Sequence, residues 1–280
     1  MSVNTTPVNN WNFLNWYTVN GVDTSTLAGL AMTKYGQFAE VETSLPFKQG
    51  DEFAFYINFD SAISTSGFSN WKLGLVDCQY SLLISDIGTL SQDLIGTTSS
   101  YYVYSEFTWP VVPGKGLYYL IIWDSSDNSV KYRSNALEKY PAWQANEQTQ
   151  LVVYRNSTNI FNFQYESVTG FYNKFRVPIW LRDPQPSDDT IGYDLNDGRF
   201  LPVRTVVKKT YLFVTEGDEY YNDGFFAMTR HHDYLRINNI DYERGSGADY
   251  SVSPPENGYP LYDAEIRLYA KDQAASYEIQ

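Results

Sequence analysis

Residues 160–203 read IFNFQYESVTGFYNKFRVPIWLRDPQPSDDTIGYDLNDGRFLPV, and the fold class is inferred from this stretch first. It sets short aromatic and β-branched runs between turn signals, a pattern typical of strands in a β-sandwich or barrel. Asn196-Asp197-Gly198 is a good hairpin connection, because Asn, Asp and Gly tolerate positive φ. The stretch therefore predicts an all-β protein.

The rest of the chain follows the same rhythm of short strands and turns. Residues 52–59 place Phe53, Phe55, Ile57 and Phe59 at alternate positions, which predicts a strand with one buried face. Residues 117–124 are predicted to form a strand, and because 117–123 are apolar throughout, it should be a central strand that is covered on both sides. Further strands are predicted at 72–76, 80–85, 101–107, 129–133, 150–155, 160–165, 175–181, 190–195, 199–203, 206–215, 234–237, 240–243 and 264–271.

Helical periodicity is confined to residues 135–149. Leu137, Tyr140 and Trp143 have helical spacing there, but Pro141 limits any helix to a turn or two. Residues 223–232 are predicted to form a short helix or a loop.

The domain division follows from the polar stretch at residues 135–150, which interrupts the strand rhythm. We expect two β-sandwich-like domains, residues 1–140 and 141–280, with extended terminal arms and little helix. The segment 251–260 carries three prolines and is predicted to be one such arm.

Charge and cysteine content exclude several classes of protein. A formal charge of −13 argues against a general nucleic-acid binder, since binding phosphates needs a basic surface. It fits an acidic soluble surface, or an acidic wall along which DNA slides. Cys78 is the only cysteine, which excludes an intrachain disulfide, and its apolar neighbours predict a buried side chain.

The sequence shows neither the pattern of a secretory signal nor a run long enough to span a bilayer. We therefore expect synthesis in a cytoplasm and no insertion into a membrane.

Residues 129–233 carry a resemblance to a known family. The matching elements are Tyr132-Arg133-Ser134-Asn135, the strand at 152–157, the run at 161–185, the hairpin at 197–203, the long strand at 206–215 and His232-Asp233. Their order resembles structural proteins encoded by phages and prophages of Bacteroidetes-type bacteria. The resemblance implies a virion component of the tail, baseplate or connecting region that works through protein–protein contacts.

Candidate catalytic and metal-binding residues do not form a convincing set. His231 and His232 are the only histidines, and neighbours in a strand point to opposite faces, so the two cannot share a metal there. Residues 124–128 and Asp188-Asp189 offer oxygen ligands for calcium without the spacing of a calcium loop. The 33 acidic residues leave a paired-carboxylate glycosidase open, but no pair is singled out. We predict no catalytic, cofactor or metal site and no enzyme activity.

The aromatic residues are the main functional candidates, because a flat apolar face with a polar edge suits both protein interfaces and sugar stacking. Core packing and an interface role both remain open for them. The predicted interface residues are Trp11, Trp16, Tyr17, Tyr220, Tyr221, Phe225 and Phe226.

The sequence thus predicts a non-enzymatic structural protein of a bacteriophage virion, made in the bacterial host cytoplasm. It would form a homo-oligomer, such as a ring in the tail or collar, and would contact neighbouring virion proteins. The alternative is a carbohydrate-binding β-sandwich module for host adhesion, and a glycan-cleaving enzyme comes third.

Overall fold

The computed structural model describes residues 7–8, 12–23, 43–59, 68–77, 82–94, 101–112, 114, 116–155, 171–244, 250–253 and 261–278, for some of them the backbone alone. The elements are β1 (Pro7–Val8), β2 (Trp16–Asp23), β3 (Leu45–Phe47), β4 (Glu52–Phe59), β5 (Trp71–Asp77), β6 (Leu82–Gly88), β7 (Ser91–Leu94), β8 (Tyr101–Thr108), β9 (Leu117–Asp124), β10 (Ser129–Ser134), β11 (Leu137–Lys139), α1 (Ala142–Gln148), β12 (Gln150–Arg155), β13 (Asn173–Val177), β14 (Ile179–Asp194), β15 (Phe200–Gly217), α2 (Glu219–Arg230), β16 (Tyr234–Ile237), β17 (Ile240–Arg244), β18 (Ser251–Ser253) and β19 (Tyr262–Glu278).

The strands form two sheets. Sheet A has 12 strands in the order β14-β15-β19-β17-β16-β12-β13-β4-β8-β7, with β1 added to β4 and β18 to β19. Sheet B has 7 strands in the order β2-β10-β9-β11-β3, with β5 on β9 and β6 on β5. All pairs are antiparallel except β11 with β3. The prediction of an all-β sandwich-like fold with little helix is confirmed.

The two sheets pack face to face through large aromatic side chains. Trp16 of β2 lies against Phe55 of β4, with ring centroids 5.3 Å apart. Phe59 of β4 meets Tyr132 of β10 at 5.2 Å. These contacts join the inner faces of sheets A and B into one core.

Helix α2 covers the part of sheet A built from later strands. Its N-cap Asp218 accepts a hydrogen bond from the backbone N–H of Tyr221 at 2.8 Å, which satisfies one of the free donors of the first turn. Phe225 and Met228 face inward and are fully buried. The helix therefore takes the place of a second layer over these strands.

The segment 12–15 runs between α2 and sheet A. Phe13 packs edge-on against Tyr221 of α2, with ring centroids 5.1 Å apart, and Asn135 Nδ2 donates to the carbonyl of Phe13 at 3.2 Å. Gly224 makes this passage possible, because a Cβ there would lie 2.9 Å from the backbone N of Phe13. Residues 12–15 are thus part of the core.

A buried ion pair joins distant parts of the chain. Arg176 donates from Nε to Asp51 Oδ2 at 2.6 Å and from Nη2 to Asp51 Oδ1 at 3.2 Å. Its Nη1 also donates to the Ala145 carbonyl and to Thr149 Oγ1, at 3.0 and 3.2 Å. One guanidinium therefore links β13, the end of α1 and the residue before β4.

Several predicted elements are confirmed at their bounds, including β4, β9, β12 and β16. Residues 135–149 contain no more than the predicted turn or two of helix, in α1, but Leu137 lies in strand β11 and the helix begins only after Pro141. Residues 219–230 form a helix. The predicted strand at 160–165 and the side chain of Cys78 lie outside the described residues.

Several strand predictions need correction, including that at 190–195, which belongs to the longer strand β14. The prediction of one buried face for residues 52–59 is wrong, because every residue from Phe53 to Phe59 is buried, between β13 and β8 and under sheet B. The predicted strands at 199–203 and 206–215 are one continuous strand, β15. The boundary between residues 1–140 and 141–280 stays a prediction, and sheet A runs through both ranges, since Lys174 of β13 pairs with Ala54 of β4.

Candidate functional site: an exposed β-arm

The longest strands of sheet A extend beyond the core. β14 and β15 pair from Ile179–Thr215 at the core to Asp194–Phe200 at the far end. β19 follows β15 as far as the pair of Arg204 with Glu278, so it stops before the end of the hairpin at Phe200. We call the three-stranded ribbon of residues 182–210 and 269–278 the arm. At roughly 3.4 Å per residue, its β14 portion extends about 40 Å.

Burial changes sharply where the arm begins. Ile179 of β14 and Phe213 and Thr215 of β15 are fully buried. From Arg182 to Pro186, every residue is exposed, on both faces of the strand. The arm therefore has no layer packed on either face of this stretch among the described residues.

A β-bulge marks the base of the arm. Arg182 pairs with Leu212 and Gln185 with Thr210, so β14 carries one extra residue there. Asp183 lies within the bulge at φ 45°, the left-handed region, which Asp tolerates better than most residues. Because bulges bend and twist the strand that carries them, this bulge directs the arm away from the sheet.

The end of the arm is a tight three-residue loop. Leu195 N donates to the Arg199 carbonyl at 2.8 Å, and Gly198 N donates to the Leu195 carbonyl at 2.9 Å. Gly198 has φ 80°, so the loop combines a turn with a left-handed glycine, as three-residue hairpins commonly do. Asp197 accepts from Arg199 N and Nε at 3.1 and 2.6 Å, and these hydrogen bonds lower the pKa of Asp197.

Large apolar side chains crowd this end, which we call the arm tip (residues 190–204). On one face, Tyr193 pairs with Leu201 and is 69% exposed, while Ile191, two residues earlier, is 60% exposed. On the other face, Phe200 is 52% exposed. Its ring reaches over Gly192, since a Cβ on Gly192 would lie 2.6 Å from Phe200 Cζ. The arm tip thus presents apolar groups on both faces.

The outer edge of β14 has no neighbouring strand among the described residues, because β14 ends the strand order of sheet A. The Gln185 carbonyl accepts from Thr210 Oγ1 and Leu195 N donates to the Arg199 carbonyl, so odd-numbered residues direct their backbone groups toward β15. Even-numbered residues alternate with them and face the open edge. Pro184 and Pro186 offer no N–H there, which protects the base of the edge. From Asp188 to Asp194 no proline intervenes.

Those residues of the predicted interface that the structure describes lie elsewhere. Trp16, Tyr221 and Phe225 are buried in the core of this chain, so the core alternative holds for these three side chains. Tyr17 and Phe226 are half-buried. Trp11 and the side chain of Tyr220 lie outside the described residues.

The described residues among them lie in β2 and α2 and not in the arm, and the arm tip was not predicted from the sequence. A signal for it existed: around the Asn-Asp-Gly turn, Ile191, Tyr193, Phe200 and Leu201 place apolar side chains on both faces of one hairpin. A hairpin with one solvated face alternates apolar and polar residues instead.

An acidic, aromatic cleft of about 410 Å³ lies beside α2. Its lining includes the carboxylates of Glu219 and Asp223 and the rings of Phe226, Tyr250 and Tyr262. Burial, with the nearby charges of Glu219 and Asp218, raises the pKa of Asp223 to about 6. Tyr250 Oη donates to the Asn222 carbonyl at 3.1 Å, which fixes one wall. Such a cleft can stack a ring and accept hydrogen bonds from hydroxyl groups.

The histidines and the acidic turn have structural partners. His232 Nδ1 lies 2.8 Å from the Met228 carbonyl, and burial lowers the pKa of His232 to about 4. In the turn after β9, Asp124 accepts from Ser126 N and Asp127 accepts from Ser129 N, each at 2.9 Å. Within the described part of the chain, no three His, Cys, Asp or Glu residues group as metal ligands, and no helix is long and apolar enough to cross a membrane.

Comparisons with known proteins assign this chain to no family. No family model and no curated protein matches the chain. A marsupial T cell receptor is 10% identical, with 85% of this chain and 97% of the receptor chain covered at a TM-score of 0.20. A complex of Dpr2 Ig1-Ig2 with DIP-Theta Ig1-Ig3 is also 10% identical, with 87% and 90% covered at a TM-score of 0.18. At these TM-scores the likenesses carry no argument about fold family or function.

Proposed function

We propose that this chain is a non-enzymatic structural component of a bacteriophage virion, a tail, collar or ring protein that assembles through the arm. The observation that carries the proposal is the exposed apolar arm tip on a ribbon with an open edge. Monomeric soluble proteins rarely keep large apolar patches exposed, and an open edge strand is a template for pairing. Its partners are copies of itself and neighbouring virion proteins.

Two further observations support this proposal. The virion setting rests on the resemblance of residues 129–233, a range that contains β14 and β15. The formal charge of −13 keeps free subunits soluble before assembly, since like-charged surfaces repel one another.

Mass spectrometry of density-purified particles tests the role directly. A fixed, low-copy ratio of this chain to the major capsid protein is the expected result. If the chain is missing from purified particles, the structural role is wrong.

Variants of the arm tip then test the mechanism. Replacing Tyr193 and Leu201 together by Ser is expected to remove the chain from particles while the isolated chain still folds, since both side chains are exposed. Val111→Ser is the matched control, because Val111 is 75% exposed but lies on the loop after β8. Equal incorporation of both variants would contradict assembly through the arm.

The acidic, aromatic cleft favours one second candidate, a carbohydrate-binding module for host adhesion. A sugar ring can stack on an aromatic ring of this cleft while its hydroxyl groups donate hydrogen bonds to the neighbouring carboxylates. A glycan array with wild type and Tyr262→Ala tests it. Binding that the variant loses would support this candidate, and no binding by wild type would exclude it.

A further inference from the structure

We infer that the open edge of β14 at the arm tip binds a second copy of this chain, paired antiparallel about a two-fold axis at Gly192. This inference rests on the proposed assembly role and names the partner of the same site. A two-fold contact uses the same patch on both copies, so the arm tip must complement itself.

The register follows from the direction of the backbone groups. Only even-numbered residues of β14 face the open edge, so an antiparallel partner must set even residues opposite even residues. With Gly192 opposite itself, Thr190 of each copy lies opposite Asp194 of the other. Three residues per copy then exchange both backbone hydrogen bonds, about six bonds in total. Pro184 and Pro186 lie beyond this stretch and prevent the pairing from extending toward the core.

On one face, this register brings apolar side chains together. Ile191 of each copy lies opposite Tyr193 of the other, as a close pair that exchanges no backbone hydrogen bonds. Pairs of an aromatic and a β-branched side chain are among those that stabilise sheets. Leu201, which pairs with Tyr193 within its own chain, extends the apolar row on either side of the axis.

On the other face, the Phe200 rings of the two copies contact each other above the two Gly192 residues. The Phe200 ring leans over Gly192 toward the open edge, as the approach of 2.6 Å to a Cβ at Gly192 shows. Opposed residues in a hydrogen-bonded antiparallel pair lie about 5.5 Å apart at Cα. The two Phe200 rings therefore meet across the axis, in the range where aromatic rings interact. A Cβ at position 192 would meet the Leu201 carbonyl oxygen as well as Phe200 Cζ, so glycine is needed there within each copy and also keeps this space open for the rings.

Charge favours a second copy despite the acidity of the whole chain. Residues 190–204 contain two acidic side chains, Asp194 and Asp197, and two basic ones, Arg199 and Arg204, so this segment is neutral. The formal charge of the chain is −13, so the acidic residues in excess lie elsewhere. Two arm tips can approach without the repulsion that other faces would cause.

Sedimentation velocity over a concentration series tests the pairing, because a contact of this size is at the weak end of specific interfaces, below about 1,200 Å². The test variant is Asp194→Pro, which removes an N–H from the open edge and leaves the hydrogen bonds to β15 intact. The matched control is Asp194→Ala, which removes the same carboxylate but keeps the N–H. We expect wild type and Asp194→Ala to shift to dimers and Asp194→Pro to remain monomeric. A wild type that stays monomeric, or an Asp194→Pro variant that dimerises equally, would overturn the pairing.

Disulfide trapping tests the register without relying on the fold of the proline variant. Ile191→Cys and Tyr193→Cys, mixed and oxidised, are expected to form a mixed dimer far faster than either variant alone. The reason is that opposed Cβ atoms lie about 5 Å apart and diagonal ones about 7 Å or more. Wild type, which contains only Cys78, controls for background crosslinking. Equal rates in all samples would rule out this register.

The sedimentation and particle experiments distinguish the dimer contact from the virion role. A chain that stays monomeric in solution yet is found at a fixed ratio in particles would overturn the pairing and leave the assembly role intact. A chain that dimerises through β14 but is missing from particles would overturn the virion role alone.

Discussion

Replacing Arg176 by Met is expected to destabilise the fold more than any other single change to a charged residue described above. Arg176 and Asp51 are 7% and 9% exposed, so the variant leaves a buried carboxylate whose one remaining cation among the described residues is Lys48, 3.3 Å away. The two lost hydrogen bonds to Asp51 are worth roughly 1.5–3 kcal/mol each, as bonds to charged groups. Removing one partner of a buried ion pair costs about 3–5 kcal/mol, which is the expected loss.

Equilibrium urea unfolding, followed by both circular dichroism and tryptophan fluorescence, measures this loss. Lys174→Met is the matched control, because Lys174 lies two residues away on β13 and bridges Glu52 and Glu106, which are 65% and 50% exposed. Exposed pairs of this kind contribute about 0–1 kcal/mol. Comparing the two variants therefore shows how much of the loss comes from burying an unpaired charge, and how much would follow from removing any cation of β13.

The double variant Asp51→Leu/Arg176→Met is expected to recover part of the lost stability, since replacing both charges by apolar groups leaves none buried without a partner. A loss below about 1 kcal/mol in Arg176→Met would refute the reasoning, because it would equal that of a surface pair. A double variant less stable than Arg176→Met would refute it too.

Three further predictions concern other parts of the fold. Trp16→Ala removes a side chain that is 1% exposed and should lower the unfolding free energy by about 3–5 kcal/mol, measured by urea titration. Gly224→Ala should lower the melting temperature although alanine favours helices by about 1 kcal/mol, because the new Cβ meets the backbone of Phe13 at 2.9 Å. The pKa of Asp223, raised to about 6, favours the folded state at low pH, and this stability is lost as the pH rises from about 4 through 6. The pKa of His232, lowered to about 4, has the opposite effect, because the unfolded histidine gains its proton below about 6.5 and acidification therefore favours the unfolded state. In wild type the Asp223 contribution offsets part of this loss. Melting curves between pH 7 and pH 4 should therefore show that Asp223→Asn loses stability on acidification more steeply than wild type.

Local sequence patterns were enough to predict strands whose signal is confined to a few residues. The apolar run of β9 and the Asn238-Asn239 turn between β16 and β17, with φ of 46° and 67°, carry their information within the segment. The fold class followed from the repetition of such patterns.

The arm could not be predicted as one unit, because its prolines read as breaks. A proline is excluded from a strand only where its missing backbone N–H would have bonded to a neighbouring strand. Pro184 and Pro186 lie on an open edge, where no such bond is needed. Which strand lies at an edge is a property of the whole sheet. The same holds for β4, whose second face is buried by strands far away in sequence.

The buried ion pair could not be predicted from the sequence either. Arg176 alternates with Phe175 and Val177 in the way that a solvated polar face would, and its partner Asp51 is 125 residues away. Only the pairing of β13 with β4 makes that charge a core residue. Sequence patterning predicts which residues share a face, and the assembled sheet determines what covers that face.

The burial of segment 12–15 against α2 sets the order in which the chain can fold during synthesis. Phe13 packs on Tyr221, so segment 12–15 cannot reach its native contacts until residue 221 has been made. At roughly 5–20 residues per second, this delay lasts about 10–40 s. Contacts of such high contact order form slowly, and a nascent chain that stops short of α2 exposes the aromatic groups that Phe13 would cover. Ribosome-bound chains of increasing length are thus expected to become protease-resistant only after residue 230 has emerged.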